Sequence, residues 1–293
     1  MNNLNTIQVA DILGINVSTL KRWSDAGKID CEKTAGGHRK FTVQNVRDYF
    51  QKYGSISTTL ESSFPESTNS TNLRMVNNRE YKNLAEKIAN CSMDNNFDEV
   101  ISIISTLFMV GIPTVDIFDY VIDTTNIIVE KLLEDDEITH LEAFSSRKLI
   151  TQAVETLFRR NNKAQNNDKT ALCVNFENNL PDVGVVMSGI ILSENGYNVF
   201  NTGSHAKIGN FSKLIKKKNI DTLLFYLCNI TCCKSIALEN LEITENHIKE
   251  LVSEADRLGL RIIFGGEGLR LMPKVKEIIQ HKFLVFNDLI KII

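Results

Sequence analysis

The chain has 293 residues, more than one compact domain usually needs, and its 43% hydrophobic content is enough for more than one buried core. The net charge of −3 is unevenly spread: residues 1–54 carry eight Lys/Arg against five Asp/Glu, a local +3 that leaves −6 for the rest. A modest basic excess in the small N-terminal segment fits phosphate contacts, and the acidic balance elsewhere argues against nucleic acid wrapping the whole chain. No apolar run approaches membrane-spanning length, since even 115–133 is broken by Asp116, Asp119, Asp123 and Glu130. Met1-Asn2-Asn3 is expected to lead into a cappable helix rather than a signal peptide. The six cysteines lie in helix-like and strand-like stretches, so a cytoplasmic protein with reduced thiols is expected.

In chain order, the first helix is expected to be capped by Thr6, to turn Val9, Ile12 and Leu13 inward and to end at Gly14. A second helix opens with Ser18 as cap, places Leu20 and Trp23 on one face and frees Thr19, Lys21 and Arg22. Gly27 ends it. A hairpin over roughly 29–41 reverses at Gly36-Gly37 and brings His38, Arg39 and Lys40 out on its returning arm. Thr42 caps a third helix with Val46 and Phe50 inward. A helix with a basic, exposed start followed by a basic hairpin is how a winged helix-turn-helix grips duplex DNA. Residues 1–54 are therefore assigned as that DNA-binding domain. Lys21, Arg39 and Lys40 are expected on phosphates, Thr19 and Arg22 on base edges, and His38 or Arg39 in the minor groove.

Residues 55–76, rich in Ser, Thr and Asn, read as a flexible linker. From 77 to 163 four amphipathic stripes predict a four-helix bundle. They are Leu84/Ile88, then Val100 to Phe108, then Ile117/Val121/Ile128/Leu132, then Leu141/Ile150/Val154/Leu157. Gly111-Ile112-Pro113 breaks the second from the third. Over 169–293 short apolar runs at 172–174, 197–200, 223–227, 261–264 and 283–285 alternate with helical patterns at 182–195, 207–218 and 244–258. That alternation predicts a doubly wound parallel sheet, making the fold class multidomain α and α/β. Ligands in such sheets sit beyond the strand C-termini, which singles out 175–182, 202–205, 228–233 and 265–268.

These residues carry a family resemblance. Thr6-Ile7, Val9-Ala10, Leu13-Gly14-Ile15, Ser18-Thr19-Leu20-Lys21-Arg22-Trp23 and Thr34 to Phe41 resemble the MerR family of transcription regulators over about the first fifty residues. The following helices and Rossmann-like sheet resemble the cobalamin-binding pair of methionine synthase. The same order of parts occurs in cobalamin-dependent, light-responsive MerR-type repressors of carotenoid genes. In that family the loop Asp-x-His-x-x-Gly supplies the cobalt-ligating His and the Asp that orients it. With its Gly placed on Gly184, Asn179 stands at the Asp position and Pro181 at the His position, and proline has no lone pair for a metal. The helical Trp and Glu-His that cover the corrin correspond to Leu133, Ala143 and Phe144. The Ser lining the nucleotide pocket falls near Tyr226, and the pair Gly265-Gly266 persists.

Losing ligand, orienter and cover together predicts a domain that binds no cobalamin and serves self-association or another signal. Two routes stay open: a protein antagonist docking on the helices and sheet, or a different small molecule. The resemblance implies double-stranded promoter DNA as partner and a homo-oligomer on paired half-sites. Leu133, Ala143, Phe144 and Tyr226 are expected to let the helices and sheet pack directly. Cys228, Cys232 and Cys233 match no usual tetrahedral metal spacing, so no metal centre is assigned. His205 and His247 are expected in surface or capping roles, and Lys216-Lys217-Lys218 at a solvated helix end. Two alternatives remain: a cobalamin-dependent light-responsive repressor lacking the lower His, and a corrinoid enzyme or carrier with an added DNA module. The leading assignment is not an enzyme.

Overall fold

The computed structural model describes residues 4–13, 15–53, 68–158, 169–174, 183–202, 211–227 and 241–293. It divides into two compact units, Met1–Thr125 and Asn126–Ile293.

In the first unit, α1 (Thr6–Ile12) is capped by Asn5 rather than Thr6. The Asn5 side-chain oxygen accepts from the amides of Ile7 and Gln8, while the Gln8 side chain accepts from the Asn5 amide, a reciprocal capping box. Helix α2 (Val17–Asp25) begins one residue before Ser18, with Asn16 at the cap and its carbonyl taking the first helical amides. Gly27 ends it at φ 67°. Strand β2 (Glu32–Lys33) pairs antiparallel with β3 (Arg39–Phe41), and β1 (Leu4–Asn5), which the sequence pattern hides, pairs with the other side of β3. Of the two turn glycines only Gly37 needs positive φ, at 75°. Helix α3 (Val43–Tyr53) is capped by Thr42, whose hydroxyl accepts from Asn45 N–H while Asn45 returns an acceptor to Thr42 N–H. Phe50's side chain lies outside the described residues.

The stretch read as a linker to residue 76 contains a helix, α4 (Thr68–Asn77), packed against α1, α5 (Tyr81–Met93) and α6 (Phe97–Val110). Asn72 is buried on it and ties all three local helices: it accepts from Lys87 Nζ at 2.8 Å and donates to Glu99 Oε1 at 3.1 Å, while Lys87 and Glu99 pair at 2.7 Å. A polar residue serves where a periodicity search expects an apolar one. Met109 of α6 joins the core of the N-terminal module with Val9, Leu13, Leu20, Phe41 and Val46. Arg47 of α3 lies over the Phe108 ring, 4.4 Å from its centroid, with its buried Nε turned to no hydrogen-bond acceptor. The ring face offsets part of that cost. A fifty-residue module has little core of its own, and α6 completes it.

Gly111, at φ 92°, ends α6. Helix α7 (Thr114–Ile117) runs through a π turn (Phe118–Ile122) into α8 (Asp123–Glu134). The wider π turn rotates the stripe. Ile117 and Val121 are buried as expected, but Val129 and Leu133 take the inward places expected for Ile128 and Leu132. In α9 (His140–Phe158) Ile150, Val154 and Leu157 are buried, whereas Leu141 is 81% exposed in the first turn. Arg147, buried on α9, pairs with Glu130 of α8.

The second unit holds a five-stranded, wholly parallel sheet in the order β5-β4-β6-β7-β8. The strands are β4 (Thr170–Val174), β5 (Asn198–Asn201), β6 (Thr222–Tyr226), β7 (Arg261–Gly265) and β8 (His281–Phe283). Strand β8 precedes the expected 283–285, because Val285 is the cap of a last helix (Phe286–Ile292). Helix α10 (Val183–Glu194) packs on β4, β5, β6 and α9. On the sheet, Leu172, Phe225, Phe264 and Met272 centre the core. In this strand order the direction of winding reverses between β4 and β6, so the ligand end is the loops after them.

Replacing Phe108 by Ala removes both a buried ring and the face under Arg47. Urea unfolding is expected to show a loss of about 3–5 kcal/mol, together with loss of protection in the amides of α3.

Candidate functional site

The first site is built on α2 and the hairpin. Ser18, Arg22 and Asp25 fall at i, i+4 and i+7, one stripe of α2. Ser18, Lys21 and Arg22 are exposed and Thr19 is half-buried. Leu20 is fully buried and Trp23 stacks on Tyr49 of α3 at 5.1 Å, so the opposite face of α2 is fixed on the core. The hairpin turn is held by Thr34: its carbonyl accepts from Gly37 N–H at 2.8 Å, its N–H donates to the His38 carbonyl at 2.9 Å, and its hydroxyl accepts from His38 N–H at 3.2 Å. His38 and Lys40 are exposed beyond it.

Arg39 differs from its neighbours. Its side chain is 14% exposed; Nη2 donates to both carboxylate oxygens of Asp25 at 2.8 and 2.7 Å, and Nε donates to Ser24 Oγ at 2.7 Å. Lys33 Nζ meets Asp25 Oδ1 at 2.8 Å. The hydrogen bond from Arg39, then that from Lys33, hold the Asp25 carboxyl at about 2, well below its ordinary value. Sequence reasoning assigned Arg39 to DNA and missed Asp25 and Ser24. No motif signals this contact, because it joins a helix end to a strand fourteen residues on.

The second site is the ligand end of the sheet. Asn179 and Pro181 lie outside the described residues, as do His205, Cys228, Cys232 and Cys233 and the side chain of His247. Tyr226, at the end of β6, is 8% exposed. A Cβ placed on Gly184 would lie 2.1 Å from the Tyr226 ring; on Gly265 it would meet the same ring at 2.8 Å and Phe283 at 2.2 Å; on Gly266, at φ 91°, the ring at 3.1 Å and the Leu227 carbonyl at 2.3 Å. The ring stacks nearly parallel on Phe286 at 5.8 Å and tilts against Phe283 at 6.1 Å. Three glycines make a slot, and the chain's own tyrosine fills it.

Of the helical positions, Leu133 and Ala143 are buried, but Phe144 is 39% exposed, contrary to the expectation of direct packing there. Cys173 is fully buried and burial pushes its thiol up to about 12, so it stays protonated. Among the described residues no cluster of His, Cys, Asp and Glu could hold a metal, and no helix is long and apolar enough to cross a membrane. Lys216, Lys217 and Lys218 end α11 (Phe211–Lys218) and are exposed, with Lys218 over the Phe200 ring at 5.1 Å.

Residues 4–54 match the helix-turn-helix domain family. A DNA-binding fold stands at the N-terminus. Among solved structures, the chain is similar to the Methanosarcina barkeri monomethylamine corrinoid protein, with a TM-score of 0.55 and 18% identity over 70% of this chain and 94% of that one. This likeness establishes a shared fold, with helices and a Rossmann-type parallel sheet. Two further matches are a cobalamin-binding protein from Desulfitobacterium hafniense (15% identity, 76% of this chain and 95% of that one) and the M. barkeri methanol:cobalamin methyltransferase complex (16%, 75% and 80%). Their TM-scores of 0.34 and 0.31 are too low to establish a shared fold. No curated protein matches by sequence.

Two outcomes follow. The folded value for Asp25 lies below the unfolded one, so its contribution is complete above about pH 4 and lost as pH falls through about 2. Carboxyl-carbon NMR should place its midpoint near 2 in the native protein, and Arg39→Ala should raise it. Gly184→Ala, which in a helix usually gains stability, is expected to cost about 1–3 kcal/mol here. In a Tyr226→Ala background that cost should vanish; a double-mutant cycle of denaturation measures it.

Proposed function

We propose that the protein is a MerR-type transcription regulator whose winged helix-turn-helix reads promoter DNA. The observation that carries this is the joint exposure of Ser18, Lys21 and Arg22 on α2 with His38 and Lys40 on the adjoining hairpin, in a module matching the helix-turn-helix family. Lys21 and Lys40 meet phosphates and supply affinity; Thr19 and Arg22 reach base edges in the major groove, where a guanidinium can fork onto guanine. His38 enters the minor groove. Action on paired half-sites makes a homo-oligomer the working form.

The C-terminal half keeps a corrinoid-protein fold without the means to hold the cofactor. Supporting this, Pro181 and Asn179 replace the ligand and its orienter in the sequence, and the glycine slot at the ligand end is filled by Tyr226. The residues present do not fit a corrinoid, and no step of the mechanism passes through one. This half serves self-association or receives its signal from a protein antagonist or another small molecule; it catalyses no reaction. The fold likeness to a corrinoid protein favours one second reading, a light-responsive repressor that binds cobalamin without a lower His.

Selection of duplexes from a random pool by the full-length protein tests the leading reading. The expected result is enrichment of two dyad-related half-sites about one helical turn apart. Arg22→Ala should then cost about 1–3 kcal/mol and relax preference at one position, whereas Lys21→Ala should weaken all sequences alike. No enrichment, or an Arg22→Ala variant that reads sequence unchanged, would overturn it.

A further inference from the structure

Lys33 and Arg39 are directly opposed across β2 and β3. Two cations facing each other on neighbouring strands repel. Strands of two and three residues are too short to hold their own orientation. What reconciles the pair is Asp25 at the end of α2, whose carboxylate takes hydrogen bonds from both. Arg39 adds a bond to Ser24 Oγ, and that hydroxyl in turn donates to the Lys21 carbonyl at 2.9 Å. The guanidinium has five N–H groups, and the bonds from Nε and Nη2 direct its fork at α2.

We infer that Arg39 and Asp25 form a positioning latch that fixes the hairpin against the C-terminal end of the reading helix, presenting His38 and Lys40 to DNA, and that Arg39 is not itself a phosphate contact. The inference rests on the DNA-binding reading and adds to it. It also reverses a sign. Asp25 is a negative charge on a DNA-facing stripe, and on Coulomb's law alone its removal strengthens binding to a polyanion. As half of a latch, its removal weakens binding.

The test uses the full-length protein and a labelled duplex that the wild type enriches from a random pool, titrated at several salt concentrations. Asp25→Asn and Arg39→Ala should each weaken binding about tenfold and leave the slope of log K against log salt unchanged. Lys40→Ala should flatten that slope by about 0.9, one phosphate contact. The reversed pair D25R/R39D should recover most of what R39D loses. In the free proteins, hydrogen exchange of residues 34–41 should accelerate in Asp25→Asn and Arg39→Ala and stay unchanged in Lys40→Ala. Asp25→Asn binding as tightly as wild type or more so, Arg39→Ala flattening the slope by a full contact, or exchange unmoved by either variant would each overturn the latch. If the wild type enriches no duplex, the DNA-binding reading fails; exchange over 34–41 then decides the latch alone, acceleration upholding it and its absence overturning it.

Discussion

The Tyr226 ring packs against Gly184, Gly265 and Gly266 at the end of the sheet where a doubly wound fold places its ligands. The parallel sheet and its strand order direct any ligand to the ends of β4 and β6, and Tyr226 closes β6. Glycines there would leave room for a flat group against bare backbone. The flat group present is a side chain, stacked on Phe286 and tilted against Phe283. An incoming ligand would have to displace it and break aromatic contacts worth about 0.5–1.5 kcal/mol each beyond the area they bury. This end of the sheet is therefore held together by packing within the chain.

The other unit makes a parallel point about size. A module with two- and three-residue strands and three short helices buries too little to stand comfortably by itself. Met109 enters its core, Phe108 lies under Arg47, and α4 lies along α1. Met109 shares its core with Leu20, the buried side of α2, while Ser18, Lys21 and Arg22 stay exposed.

Most of the fold was legible because its signals are local and periodic. Gly27, Thr42, Gly111 and the strand–helix alternation each announce an element boundary through backbone chemistry. The misreadings have physical causes. Helix α4 is hidden by Ser, Thr and Asn, and its inward position is Asn72, satisfied by Lys87 and Glu99 from distant helices. The π turn at Phe118–Ile122 shifts which residues of α8 face inward, and hydrogen-bond pitch leaves no mark on composition. Strand β1 is two residues long and exists only because β3 is there to pair with it. At the site, the basic motif identified the exposed residues, but the partner of Arg39 is a tertiary contact with Asp25. Sequence likewise marked Tyr226 as a substitution, whereas its place in the glycine slot depends on three separate segments meeting.

The central claim, that the slot is already taken by the chain, is tested most directly by mixing the purified full-length protein with adenosylcobalamin in the dark and passing it over a gel-filtration column. The account predicts colourless protein eluting unchanged, before and after illumination. A coloured complex that survives the column would contradict it.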